Sequence, residues 1–141
     1  EVMPMNDTDM PRHMQFVSLE NVYKELDKKF KFENSDYNTG GPSNYYVSKK
    51  LNIKVGFITP LSNNFCASCN RVRISSTGKL YMCLGQNDFI DFREILRTDR
   101  SDDYIKEKIK FALSIKPQKH DFIINSEVKP YINRYMNETG G

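Results

Sequence analysis

All three cysteines of the chain fall between Gly56 and Gln86, as Cys66, Cys69 and Cys83, in the pattern C-x2-C-x13-C. An odd number with one close pair argues against a secreted disulfide scaffold and for a reduced compartment in which thiolates hold a metal. The residues between them supply a way back for the third sulfur. Arg71-Val72-Arg73-Ile74-Ser75 alternates basic and apolar side chains, as a half-buried strand does. Thr77-Gly78 offers a tight turn, and Lys79 to Met82 returns as the partner strand. Such a hairpin is expected to bring Cys83 back beside Cys69.

Three thiolates admit several chemistries. Structural zinc needs four ligands, and the chain has only two histidines to add, His13, 53 residues before Cys66, and His120, 37 residues after Cys83. A four-iron cluster held by three thiolates leaves one iron open for a small molecule. Arg71 and Arg73, two apart on a strand, project from one face. Paired guanidinium groups beside an open metal position suit an anion, phosphate above all. A redox dithiol would place C-x-x-C at the start of a helix, whereas a strand-like segment follows here. No histidine close in sequence supports a nucleophilic cysteine.

The remainder reads as one α+β domain. Its 141 residues, 38% hydrophobic and 28% charged, suffice for a single core. A net charge of +3 is too weak a bias to argue for nucleic acid, and no apolar run spans a bilayer. Val2 to Pro4 looks like the end of a strand, with Asn6 to Asp9 the loop leaving it. Ser18 is placed to cap a helix whose Leu19, Val22, Tyr23, Leu26 and Phe30 form one stripe. Asn34 to Asn44 is a loop, and Tyr45–Val47 and Ile53–Thr59 are strands. Phe89 to Leu96 reads as a short helix. Ser101 caps a longer one, with Tyr104, Ile105, Ile109, Ala112 and Leu113 inward. From Lys116 onward the chain reads as polar and irregular. Glu1 opens as if a strand were already under way, so the chain is read as part of something longer.

The run GFITPLSNNFCASCNRVRIS, followed by TGKL and Cys83, resembles the C-terminal part of the GTP 3′,8-cyclases of molybdenum cofactor biosynthesis, a radical S-adenosylmethionine family. EVMPM at the start, Gly41-Pro42 before Tyr45, Lys116-Pro117 with His120-Asp121-Phe122, and an RYMxxTGG ending of bacterial type extend the likeness over the whole chain. The resemblance implies the C-terminal region of a partial (β/α) barrel, with residues 1–17 as the end of a barrel strand and its loop, then short antiparallel strands and two or three helices.

It further implies that Cys66, Cys69 and Cys83 hold a second [4Fe-4S] cluster whose open iron takes the guanine of GTP. Arg71 and Arg73 would hold the triphosphate, and Gly140 and Gly141 would end a tail entering the active site. The family's radical-generating [4Fe-4S] cluster, which cleaves S-adenosylmethionine, uses a C-x3-C-x2-C motif absent from these 141 residues. The chain by itself is therefore expected to be inactive, with no catalytic residue of its own, and to depend on an N-terminal radical barrel. A bacterial cytoplasmic location, a homodimeric parent and a product passed to cyclic pyranopterin monophosphate synthase follow from the same likeness. The competing expectation is a zinc-stabilised three-cysteine binding module without activity.

Overall fold

A computed structural model describes residues 1–3, 5, 12–98, 100–123, 132 and 134–139, the side chains of 12 and 13 excepted. By their described residues, Glu1–Met3 and Met10–Cys69 form one compact unit, and Pro4–Asp9 and Asn70–Gly141 form another. The elements are α helices and antiparallel strands, an α+β fold as the sequence indicates, and no barrel closes among the described residues.

In the first unit, a single helical turn α1 (Arg12–Gln15) precedes α2 (Leu19–Phe30). Ser18 caps α2 as expected, its Oγ accepting from the Glu20 N–H at 3.3 Å. The five stripe residues are all half-buried. Lys31 ends the helix in the left-handed region, and the Asp27 carboxylate accepts from the Phe32 N–H at 2.7 Å. The chain then enters a three-stranded sheet, β1 (Phe32–Asn34), β2 (Asn44–Ser48) and β3 (Ile53–Phe57), in the order β1-β2-β3. β1 has no counterpart in the sequence reading. Its three residues are too few to show a period, and their pairing with Tyr46–Ser48 is tertiary.

Four rings join α2 to this sheet. Tyr23 lies 4.6 Å from Tyr46 and 5.7 Å from Phe57, and Phe57 meets Tyr46 edge-on at 5.6 Å and Phe32 at 6.4 Å. Edge-to-face geometry at these separations is favourable beyond the area buried. The strand expected over Val2–Pro4 is not formed at Val2 and Met3. One hydrogen bond, from the Glu1 backbone nitrogen to Ile58 O at 2.9 Å, lies there instead of a ladder. Pro4 and the Asn6–Asp9 loop are outside the described residues.

The second unit holds the hairpin. β4 (Arg73–Ile74) pairs with β5 (Lys79–Tyr81), and β5 with β6 (Phe89–Asp91). The turn forms where expected: Gly78 N–H donates to Ser75 O at 3.0 Å, and Gly78 takes φ 83°, a region closed to most side chains. The ladder is shorter than the Arg71–Ser75 reading. Phe89–Leu96 is corrected. Its first three residues are β6 and only Phe92–Arg97 is helix α3, because Asp91 is the cap whose carboxylate accepts from the Arg93 N–H at 2.9 Å.

Ser101 caps α4 (Asp102–Ser114) through the Tyr104 N–H. The inward face of α4 is narrower than its apolar spacing suggests. Ala112 is fully buried with Leu80, Met82 and Phe92, and Ile105 packs against them, while Ile109 and Leu113 are exposed. The C-terminal stretch is irregular yet far from solvent at key points. Ile132, Arg134 and Thr139 are buried, and a 3-10 turn occupies Met136–Thr139.

Candidate functional site

Cys66 and Cys69 sit in the first unit and Cys83 in the second. Among the described residues, no group of three or more His, Cys, Asp or Glu side chains is gathered around a cation position. Cys66 opens a 3-10 turn, Cys66–Ser68, which the Cys69 N–H closes onto Cys66 O at 3.1 Å. Cys69 is already extended. The turn puts the two thiol-bearing residues at either end of one tight loop. All three cysteines are half-buried, and none is in a disulfide among the described residues. Thiols outside a disulfide are soft donors, the ligand type that a thiolate-ligated cluster or zinc takes. His120 does not make a fourth ligand evident, since its Nδ1 accepts from the Phe122 N–H at 3.3 Å. The side chain of His13 is outside the described residues.

The segment leading to the cysteine turn is tied to Glu1. The Glu1 carboxylate accepts from the backbone N–H of Leu19 at 3.1 Å, Leu61 at 2.9 Å and Ser62 at 3.0 Å, and from the Ser62 hydroxyl. Burial pushes this carboxyl upward, but the hydrogen bonds from Ser62, Leu61 and Leu19 together outweigh it and hold the group below its ordinary value. A cleft of about 310 Å³ opens beside α2, lined by Tyr23, Tyr46, Phe57, Asn44, Ser62 and Asn63. It contains none of the candidate cysteine, arginine or glycine site residues named from the sequence.

In the second unit, Arg71 and Arg73 are half-buried while Val72 and Ile74 stand exposed, Ile74 at 61%. The alternation expected of a half-buried strand is present, but the basic side chains face inward. Arg73 Nη1 donates to Thr139 O at 3.5 Å. Gly140 and Gly141 lie outside the described residues; Thr139, immediately before them, is buried at Arg73.

Two further cations hold this region, and sequence reasoning gave neither a role. Lys116 Nζ donates to Arg71 O at 2.9 Å and to Met82 O at 2.7 Å, joining the arginine segment to the residue before Cys83. Arg134 holds the residues after it. Its Nη2 donates to Leu84 O at 3.1 Å and Gln86 O at 2.7 Å, its Nη1 to Asn87 Oδ1 at 3.1 Å. The signal available was a lone arginine between Ile132 and Tyr135, in a stretch whose burial no period announces.

The Molybdenum Cofactor Synthesis C family model matches residues 1–122. Proteins named GTP 3′,8-cyclase from Agrobacterium fabrum (strain C58 / ATCC 33970), Brucella ovis and Brucella abortus (strain S19) are each 45% identical over 142 aligned residues. That alignment takes in 100% of this chain and 41% of each relative, so the chain spans about two fifths of their length. With its cysteine turn, inward arginines and hairpin all within the matched residues, the chain belongs to the Molybdenum Cofactor Synthesis C family.

Proposed function

We propose that the chain, as one region over residues 1–141, is the substrate-cluster part of a GTP 3′,8-cyclase, which converts GTP to (8S)-3′,8-cyclo-7,8-dihydroguanosine 5′-triphosphate. Cys66, Cys69 and Cys83 hold a [4Fe-4S] cluster as thiolates, and such a cluster supplies an open iron for the guanine. Arg71 and Arg73 take the triphosphate, and Gly140 and Gly141 end the tail that reaches the reacting groups. Fixing base and phosphate together keeps the ribose in one pose, so that a radical finds the intended carbon. S-adenosylmethionine and the radical-generating cluster belong to an N-terminal barrel, and the product passes to a cyclic pyranopterin monophosphate synthase. A bacterial cytoplasmic homodimer is the setting.

The observation that carries this reading is the inward turn of Arg71 and Arg73. A purely structural strand would bury Val72 and Ile74 and leave the arginines to water, and the reverse is seen. The names of the relatives supply the substrate.

The test uses the complete gene product, purified without oxygen. Cys83→Ser is expected to lose iron and GTP turnover; full iron and full turnover would overturn the assignment. A colourless wild type containing zinc would favour the three-cysteine binding module. Arg71→Ala and Arg73→Ala should each weaken GTP by roughly tenfold or more, since hydrogen bonds to a charged group contribute about 1.5–3 kcal/mol. Guanosine should be weakened far less, and equal losses for both ligands would argue against phosphate contact.

A further inference from the structure

Arg134 is 7% exposed, and its guanidinium lies 4.0 Å over the Tyr81 ring. Among the described residues no carboxylate pairs with it, and its Nε is buried without a hydrogen-bond partner. A buried cation without a counter-charge is costly, so its placement calls for an anion or strong acceptors nearby. The acceptors are the backbone carbonyls of Leu84 and Gln86, which flank Gly85.

Gly85 carries the second half of the argument. Its N–H donates to Cys83 Sγ at 3.4 Å. The Leu84 carbonyl and the Gly85 N–H belong to one planar peptide group, trans here as everywhere among the described bonds. The two therefore point in opposite directions. A guanidinium on the oxygen and a sulfur on the hydrogen make a three-part line: Arg134, peptide, Cys83. Donation to the oxygen draws electron density from the N–H and makes it a better donor. The peptide cannot easily rotate away, because Gly85 is packed so closely that a Cβ would lie 2.5 Å from the His120 Cβ and 2.7 Å from Phe122 Cε2. Gln86 Nε2 also donates to Asp121 Oδ2 at 2.7 Å.

We infer that Arg134 is a positioning residue for the Cys83 sulfur: by holding the Leu84 carbonyl it orients and polarises the Leu84–Gly85 peptide, keeping the Gly85 N–H on the thiolate. Hydrogen bonds to cysteine sulfur are among the features that set a cluster's potential. The inference rests on Cys83 being a cluster ligand.

The test compares the complete gene product as wild type, Cys83→Ser, Arg134→Gln and Arg134→Lys, each reconstituted anaerobically with iron and sulfide. Cys83→Ser tests the underlying reading alone: unchanged iron there overturns that reading and the inference with it. Where Cys83→Ser loses a cluster, that cluster is the one followed. Arg134→Gln is expected to shift its midpoint potential downward, because weaker donation to sulfur disfavours the more negative reduced state. Selective loss of that iron from a folded Gln variant supports the inference equally. Arg134→Lys, which keeps the charge, should stay near wild type.

A Gln potential equal to that of wild type overturns the inference while leaving Cys83 a ligand. The wild type gives an independent reading: electron–nuclear double resonance should detect one solvent-exchangeable proton coupled to that cluster and slow to exchange, since Gly85 is buried. Its absence overturns the inference too. Should Arg134→Gln not fold, that proton together with a wild-type potential in Arg134→Lys sustains the inference, and failure of either defeats it.

Discussion

The two units secure their cysteines with opposite charges. In the first, one carboxylate, Glu1, gathers three backbone N–H groups, Leu19 at the start of α2 and Leu61 and Ser62 on the approach to Cys66. In the second, two cations, Lys116 and Arg134, gather four backbone carbonyls on either side of Cys83 and at Arg71. Their interiors differ in the same measure. The first unit is packed by half-buried rings between α2 and its sheet, with Phe57 the deepest at 7% exposed. The second has a small apolar core of Leu80, Met82, Phe92 and Ala112 and relies on side chain to backbone ties around it. An irregular loop has no ladder to satisfy its carbonyls, so a cation has to do it. The ring-packed unit needs less of this, because its sheet satisfies its own backbone.

The largest effect should come from breaking the ring packing. Phe57→Ala removes a buried ring that touches Tyr23, Phe32 and Tyr46, at a cost of about 3–5 kcal/mol. Hydrogen exchange resolved along the chain should show lost protection in β2 and β3. Amides of β5 should be unaffected if the two interiors are independent, and equal loss in both would erase the contrast. Lys116→Met comes next. It keeps the apolar stem but strips Arg71 O and Met82 O of a charged donor, at a cost of about 2–3 kcal/mol. Here the loss of protection should concentrate on residues 71–83, read by the same exchange measurement. A Lys116→Met protein as stable as wild type would mean that the carbonyls are satisfied without the ammonium.

What the sequence reveals divides along the same line. The caps Ser18 and Ser101 and the Thr77-Gly78 turn are legible because each is decided within a few residues. The α+β class and the hairpin follow from them. β6 is not legible: Phe89-Ile90-Asp91 is too short to show a period, and only its pairing with Lys79–Tyr81 makes it a strand. The inward face of α4 is misjudged for a related reason. Leu113 satisfies the apolar spacing, yet the core it would join is small and is filled by Ile105 and Ala112. Of the site, the residue types and spacing are plain in the sequence. The direction of Arg71 and Arg73 and the roles of Lys116 and Arg134 are not, since nothing local distinguishes an arginine that binds carbonyls from one that faces water.

The smallest effect, and the most direct test of the opposite charges, is a pH dependence confined to the first unit. Glu1 is held below the ordinary carboxyl value of 4.5 by hydrogen bonds it accepts as a carboxylate. A group whose folded value is depressed contributes its stability fully above the unfolded value, and loses it as the pH falls through the folded one. The contribution should thus be complete near neutrality and fade below about pH 4.5. The ties that Lys116 and Arg134 make run to backbone and amide oxygens and involve no carboxylate. Acid titration followed by backbone amide shifts should therefore move Leu19, Leu61 and Ser62 together, while Met82 and Gly85 hold still. In Glu1→Gln the acid step at those three amides should vanish, because a neutral amide accepts the same hydrogen bonds more weakly at every pH. Persistence of the step in Glu1→Gln would assign it to another carboxylate and leave the contrast between the units without its anionic half.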